Sequence, residues 1–123
     1  MNAKSIVAIA MIFLTSYANI SFQSDKITDV YVADFGSEDI ERCGPSDVDL
    51  SHSGAREFFI RAREVDQKTI HDHYNYAPCY IEGTLKYGSM SCEWEIRAGA
   101  TVQIKCIQKT NYFVCDTCED LFQ

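Results

Sequence analysis

Residues 79–106, CYIEGTLKYGSMSCEWEIRAGATVQIKC, constrain this chain more than any other stretch of it. Cys79, Ile81, Gly83 and Leu85 share one parity, and Tyr80, Glu82, Thr84 and Lys86 share the other. That period of two marks a strand with one face on a core and one in water. Cys92, Trp94 and Ile96 against Glu93, Glu95 and Arg97 repeat the pattern. Between the two runs, Gly88 stands at the first central position of a two-residue loop, which suits a type II′ turn. Pairing Tyr87 with Met90 then sets Leu85 opposite Cys92, Gly83 opposite Trp94 and Ile81 opposite Ile96. Apolar meets apolar throughout, so the register is self-consistent. Gly83 leaves room for the indole of Trp94 to lie across the neighbouring strand.

The next turn is chosen in the same way. A two-residue loop at Ala98-Gly99 sets inward residues against outward ones. A three-residue loop over residues 98–100 pairs Ile96 with Val102, Trp94 with Ile104 and Cys92 with Cys106, and gives Gly99 or a neighbour the left-handed position such loops want. A fourth strand, residues 112–115, is expected after the polar loop Gln108-Lys109-Thr110-Asn111. Upstream, Ala55, Phe58, Phe59, Ala62 and Val65 recur at helical spacing, with Arg56, Glu57, Arg61, Arg63 and Glu64 on the other side. Ser51 or Ser53 is placed to cap that helix. Its phenylalanines are expected on the sheet face that carries Trp94, Ile96 and Ile104. The fold class that follows is α+β: one amphipathic helix on an antiparallel meander of four to five strands, stapled by disulfides. Residues 27–35 read as a strand or short helix, with Val30, Val32 and Asp34 opposite Tyr31 and Ala33. Residues 36–49 read as a polar connecting loop broken at Gly44-Pro45.

The amino terminus bounds the setting. Lys4, an apolar run over residues 5–14 and the small-residue site Ser16-Tyr17-Ala18 form the pattern of a secretory signal peptide, cleaved before Asn19. The run falls short of the ~20 apolar residues a membrane span needs. The expected organisation is a signal peptide at 1–18 and a single domain at 19–123, with a mobile lead-in at 19–26 and an acidic tail at 116–123. Removing Lys4 from 11 basic against 18 acidic residues leaves a formal charge of −8. Such a charge disfavours nucleic acid and anionic membrane and favours a basic partner. All six cysteines lie after the cleavage site. An even count in a short exported chain reads as a disulfide framework, with many connectivities open. The pairing expected is Cys92–Cys106, Cys115–Cys118 and Cys43–Cys79.

No stretch carries a reaction. His71-Asp72-His73 sets two imidazoles around a carboxylate. On an extended segment they would point the same way and could share a zinc, but a third and fourth ligand are missing at any recognisable spacing. Backbone hydrogen bonding in a helix-to-strand turn is the plainer role. Cys115-Asp116-Thr117-Cys118 has redox spacing, but its acidic neighbours would raise a thiolate's pKa and no βαβ pattern surrounds it, so a structural bridge is expected. No catalytic residue, metal or cofactor is assigned. The binding residues expected are His71, Asp72, His73, Tyr74, Tyr76 and Tyr80, in the aromatic segment before the sheet. Glu93 and Glu95 read either as a solvated face or as an anionic patch for a basic protein.

The runs HDHYNYAPCYIEGTLKYG, CEWEIRAGAT and YFVCDTCEDLF resemble small exported, cysteine-rich bacterial proteins of unassigned function. The resemblance covers the second half of the chain, brings no functional residues, and implies a periplasmic setting. The expected function is a non-enzymatic exported binding protein, an inhibitor or immunity protein that neutralises a basic envelope-acting toxin or hydrolase. The alternatives are a small metal-binding or thiol-dependent periplasmic protein, and a structural envelope protein.

Overall fold

Six antiparallel strands build one sheet in the order β1-β3-β4-β5-β6-β2. They are β1 (Ile27–Ser37), β2 (Arg63–Val65), β3 (Cys79–Tyr87), β4 (Met90–Arg97), β5 (Thr101–Cys106) and β6 (Lys109–Val114). Two helices, α1 (His52–Arg61) and α2 (Gln67–His73), lie in the connections that join β1 to β2 and β2 to β3. The structure is a computed structural model, and it describes residues 22–122. The signal-peptide reading of residues 1–18 lies outside them. Among the described residues no helix is long and apolar enough to cross a membrane.

The meander forms as alternation requires. Leu85 faces Cys92, Gly83 faces Trp94 and Ile81 faces Ile96. Cys92 faces Cys106, Trp94 faces Ile104 and Ile96 faces Val102. Gly88 takes φ 60° while Ser89 does not turn positive, as a type II′ turn demands. In the second hairpin Ala100, rather than Gly99, occupies the left-handed position, at φ 62°. The disulfides are Cys43–Cys79, Cys92–Cys106 and Cys115–Cys118, with Cα–Cα distances of 5.4, 4.4 and 5.5 Å. No cysteine is free.

Five expectations are corrected. The chain has two helices rather than one, since α2 occupies residues expected to form the turn from helix to strand. The sheet has six strands rather than four or five, because β1 adds to β3 and three residues of β2 add to β6. The last meander strand starts at Lys109, directly after a two-residue turn at Ile107-Gln108. Its polar residues sit comfortably in a ladder whose outer face is wet. The amphipathic helix stops at Arg61, and Val65 belongs to β2. The chain turns extended at Ala62, and β6 satisfies its next three backbone residues instead of a further helical turn. Finally, two one-residue bulges in β1, between Thr28 and Tyr31 and between Val32 and Asp34, flip its parity. Val30, Val32 and Phe35 therefore pack on the core, while Asp34 pairs with Glu82 on the outer face.

α1 covers the inner face. Ser51 caps it by accepting from the N–H of Gly54. Phe58 and Phe59 are buried, and Phe59 meets the Trp94 ring edge-on with centroids 5.4 Å apart. Phe58 likewise meets Phe122, and Arg61 pairs with Asp120, so the acidic tail is folded back onto the helix. At the other end of the described chain Phe22 stacks on Tyr87 at 4.2 Å. The connection from β1 to α1, pinned by Cys43–Cys79, is less polar in role than in composition. Val48 and Leu50 are both core residues.

Trp94 lies across Gly83, and its Nε1–H donates to the carbonyl of Thr84 at 2.9 Å. A Cβ on Gly83 would stand 1.8 Å from the Tyr31 carbonyl oxygen and 2.6 Å from the indole. Neither neighbour is a flexible side-chain end, so Gly83→Ala is expected to cost about 3 kcal/mol or more. Gly88→Ala meets no atom within 4 Å and bears only the left-handed backbone, about 1 kcal/mol. Denaturant midpoints of the two oxidised variants check this; equal losses would show that the Trp94–Gly83 crossing is not the tight point of the sheet.

Candidate functional site

The outer face of the sheet is where the chain leaves chemistry uncovered. Register places one residue from each strand in a single row: Asp34, Glu82, Glu95, Gln103, Tyr112 and Val65. Neighbouring strands lie about 4.8 Å apart, so the groups repeat at that step. The β1 half of the row is acidic, with Asp34 and Glu82 exposed and Glu95 half-buried. The β2 half is neutral, and α2 with the segment after it passes over it.

α2 starts where the side chain of Asp66 accepts from the hydroxyl and the N–H of Thr69, and the hydroxyl first, then the N–H, holds the Asp66 carboxyl below its ordinary range. Lys68 pairs with Asp72 one turn on. None of its residues is buried. The helix thus stands over the sheet instead of sinking into it, and a cleft of about 520 Å³ remains beneath. Gln67, Ile70, His71, Tyr74, Asn75 and Tyr76 form one wall. Glu95, Gln103 and Tyr112, from three adjacent strands, lie on the other side.

Arg97 fastens the wall to the sheet. Its guanidinium sits between the rings of Tyr76 and Tyr80, 4.7 and 4.9 Å from their centroids. It also donates to the Ala77 carbonyl at 2.8 Å, to Glu95 at 3.1 Å and to Glu38 at 3.3 Å. A cation between two aromatic faces with three oxygen acceptors has no strong site left for a ligand anion. Its role is to hold the segment before β3 in one place. The hydroxyl of Tyr76 donates to Glu38, whose own backbone N–H is bonded to the Pro78 carbonyl. That hydroxyl, then Arg97, lowers the Glu38 pKa, and Glu38 in return raises that of Tyr76. At the other end of the wall Tyr74 donates to Asp116 at 2.7 Å and accepts from Arg63 at 3.0 Å. Asp116 raises the Tyr74 phenol, and its own carboxyl is held low by Tyr74 and then by Arg63.

The structure divides the expected binding residues. His71, Tyr74 and Tyr76 line one cleft, and Tyr80 lies beneath Arg97 at its end. Asp72 and His73 do not line it. The histidines sit in a helix, not on an extended segment as expected. Two residues apart on a helix, at about 100° per residue, they point to opposite sides and share no metal. Among the described residues one group of possible ligands converges, Cys43, Asp47 and Cys79, and its two sulfurs are already joined to each other. A thiol nucleophile has no cysteine to draw on, since all six are paired. Arg97, Gln103 and Tyr112 were not singled out by the sequence reading. The signal for Arg97 was its cation three strand positions past Trp94, on the face opposite the indole; for the other two it was only register. No family model, no curated protein and no solved structure matches this chain.

The Tyr76–Glu38 bond fixes a pH dependence. Its carboxyl is depressed below the ordinary value near 4.5, so its contribution is present above that value and fades as pH falls through the lower folded one. In an NMR titration Glu38 should titrate below 4.5 in the wild type and move back up in Tyr76→Phe. Arg97→Ala should in addition speed hydrogen exchange at the Glu38 amide, while the Trp94 indole signal stays in place. An unchanged Glu38 midpoint in Tyr76→Phe would remove the pinning role assigned to that pair.

Proposed function

We propose that this is an exported, non-enzymatic binding protein that caps a basic protein of the bacterial envelope, as an inhibitor or immunity protein for a toxin or hydrolase. One observation carries the reading: three carboxylates, Asp34, Glu82 and Glu95, stand on adjacent strands, each in register with the next, the first two exposed and Glu95 half-buried at the edge of the cleft. Glu95 is offset by Arg97, and Asp34 accepts from the backbone N–H of Phe35. Glu82, between them, makes no ion pair or hydrogen bond among the described residues. Like charges directly opposite on a sheet cost stability. A cationic partner surface would turn that cost into complementarity and speed encounter. The tyrosines held beside the row by Arg97 and Glu38 supply rigid contact area, which aromatic anchors provide at low entropic cost. Three disulfides in so short a chain accord with export.

A charge reversal separates function from fold. Glu82→Lys removes the like-charged neighbours, so it should stabilise the isolated protein by a few tenths of a kcal/mol. The same change should lower retention of the partner about tenfold or more when wild type and variant are immobilised and challenged with envelope extract at low and high salt. The partner, identified by mass spectrometry, should be basic and released by salt. Equal retention by the two proteins, or none by either, would reject the reading.

A further inference from the structure

The cleft under α2 has a chemistry of its own. Several of its side chains are already engaged: Arg97 with Glu95, Glu38 and the Ala77 carbonyl, His71 with Asp72, and Tyr74 with Asp116 and Arg63. By contrast Gln67, Asn75, Gln103 and Tyr112 all line the cleft, and among the described residues their side chains make no hydrogen bond there. The cleft therefore holds three carboxamides and a phenol in reserve. The apolar surface of Ile70 lies with them.

We propose that this cleft binds a neutral saccharide of about two pyranose rings, the size a ligand pocket of this order accommodates. A carboxamide offers donor and acceptor side by side, which matches hydroxyl groups that are themselves both. The Tyr112 ring and Ile70 provide the apolar surface that the C–H face of a sugar ring needs. Gln103 and Tyr112 repeat at the strand spacing of about 4.8 Å, a step close to the length of one ring. The rival occupants fit less well. An anion would meet an acidic sheet face, with the guanidinium groups of Arg97 and Arg63 already engaged by Glu95, Glu38 and Asp116. An extended peptide gains most by adding to a sheet edge. Here the floor is mid-sheet, where β4, β5 and β6 already pair with one another.

The test is an NMR titration of the oxidised, isotope-labelled protein with N,N′-diacetylchitobiose, with cellobiose and, separately, with triglycine. At least one disaccharide should shift the side-chain amide signals of Gln67, Asn75 and Gln103 saturably at millimolar concentration. Gln103→Ala, an exposed change on a strand surface, should weaken that binding about tenfold, with the Trp94 indole signal reporting an intact fold. Should that variant fail to fold, Asn75→Ala in the segment after α2 takes its place. No saturable shift with either disaccharide, binding unchanged in the variant, or tighter binding of triglycine at the same signals would overturn the proposal. Glu82→Lys should leave the saccharide shifts intact while it weakens protein capture, so the two readings fail separately.

Discussion

The missing side chain at Gly83 is the constraint on which the rest of the sheet depends. Trp94 needs a flat place on β3, and only a residue without a Cβ leaves one. Once the indole lies there its N–H takes the Thr84 carbonyl, and its edge receives Phe59 from α1. β1 passes equally close, with the Tyr31 carbonyl against the same glycine. Its ladder with β3 has a bulge on each side of the pair Tyr31-Val32. One small residue thus sets where the helix sits, how the indole is satisfied and how the first strand runs.

The bulges have a consequence on the opposite face. Without the second one Asp34 would keep the parity of Val30 and Val32 and point into the core, where an unpaired carboxylate is costly. The extra residue sends Asp34 outward to Glu82 and brings Phe35 inward with Ile81. Packing around Trp94 and the acidic end of the outer row are therefore coupled through the backbone. The free edge of β1 is blunted by the same device, since the N–H of Val32 is taken by His52 Nδ1 at 2.9 Å and that of Phe35 by Asp34 at 2.8 Å. Bulges and side-chain caps of this kind keep an edge strand from pairing with a second chain.

What could be read from the residues alone follows from how local each signal is. The β3–β4–β5 meander was legible because alternation, a glycine turn and a three-residue loop agree on one register, and that register places Cys92 opposite Cys106. β2 was not legible: Arg63-Glu64-Val65 has no strand pattern and exists because β6 offers an edge. α2 was missed for the reason that later makes it useful. A helix with no buried residue shows no apolar periodicity; its one local sign was Asp66 three residues before Thr69. The tyrosines of the cleft could be singled out by composition. Gln103 could not, because its place beside Glu95 and Tyr112 is a property of three strands at once.

Magnitudes explain why such a small protein can carry an unfavourable surface. Each like-charged register pair costs a few tenths of a kcal/mol, up to about 1, while a structural disulfide contributes roughly 2–4 kcal/mol by restricting the unfolded chain. Cys43–Cys79 and Cys92–Cys106 tie β3 to the loop before α1 and β4 to β5, the strands that bear the row. The cost of holding Glu82 between two carboxylates is therefore small against what those bridges add. Replacing Glu82 by lysine would remove that cost.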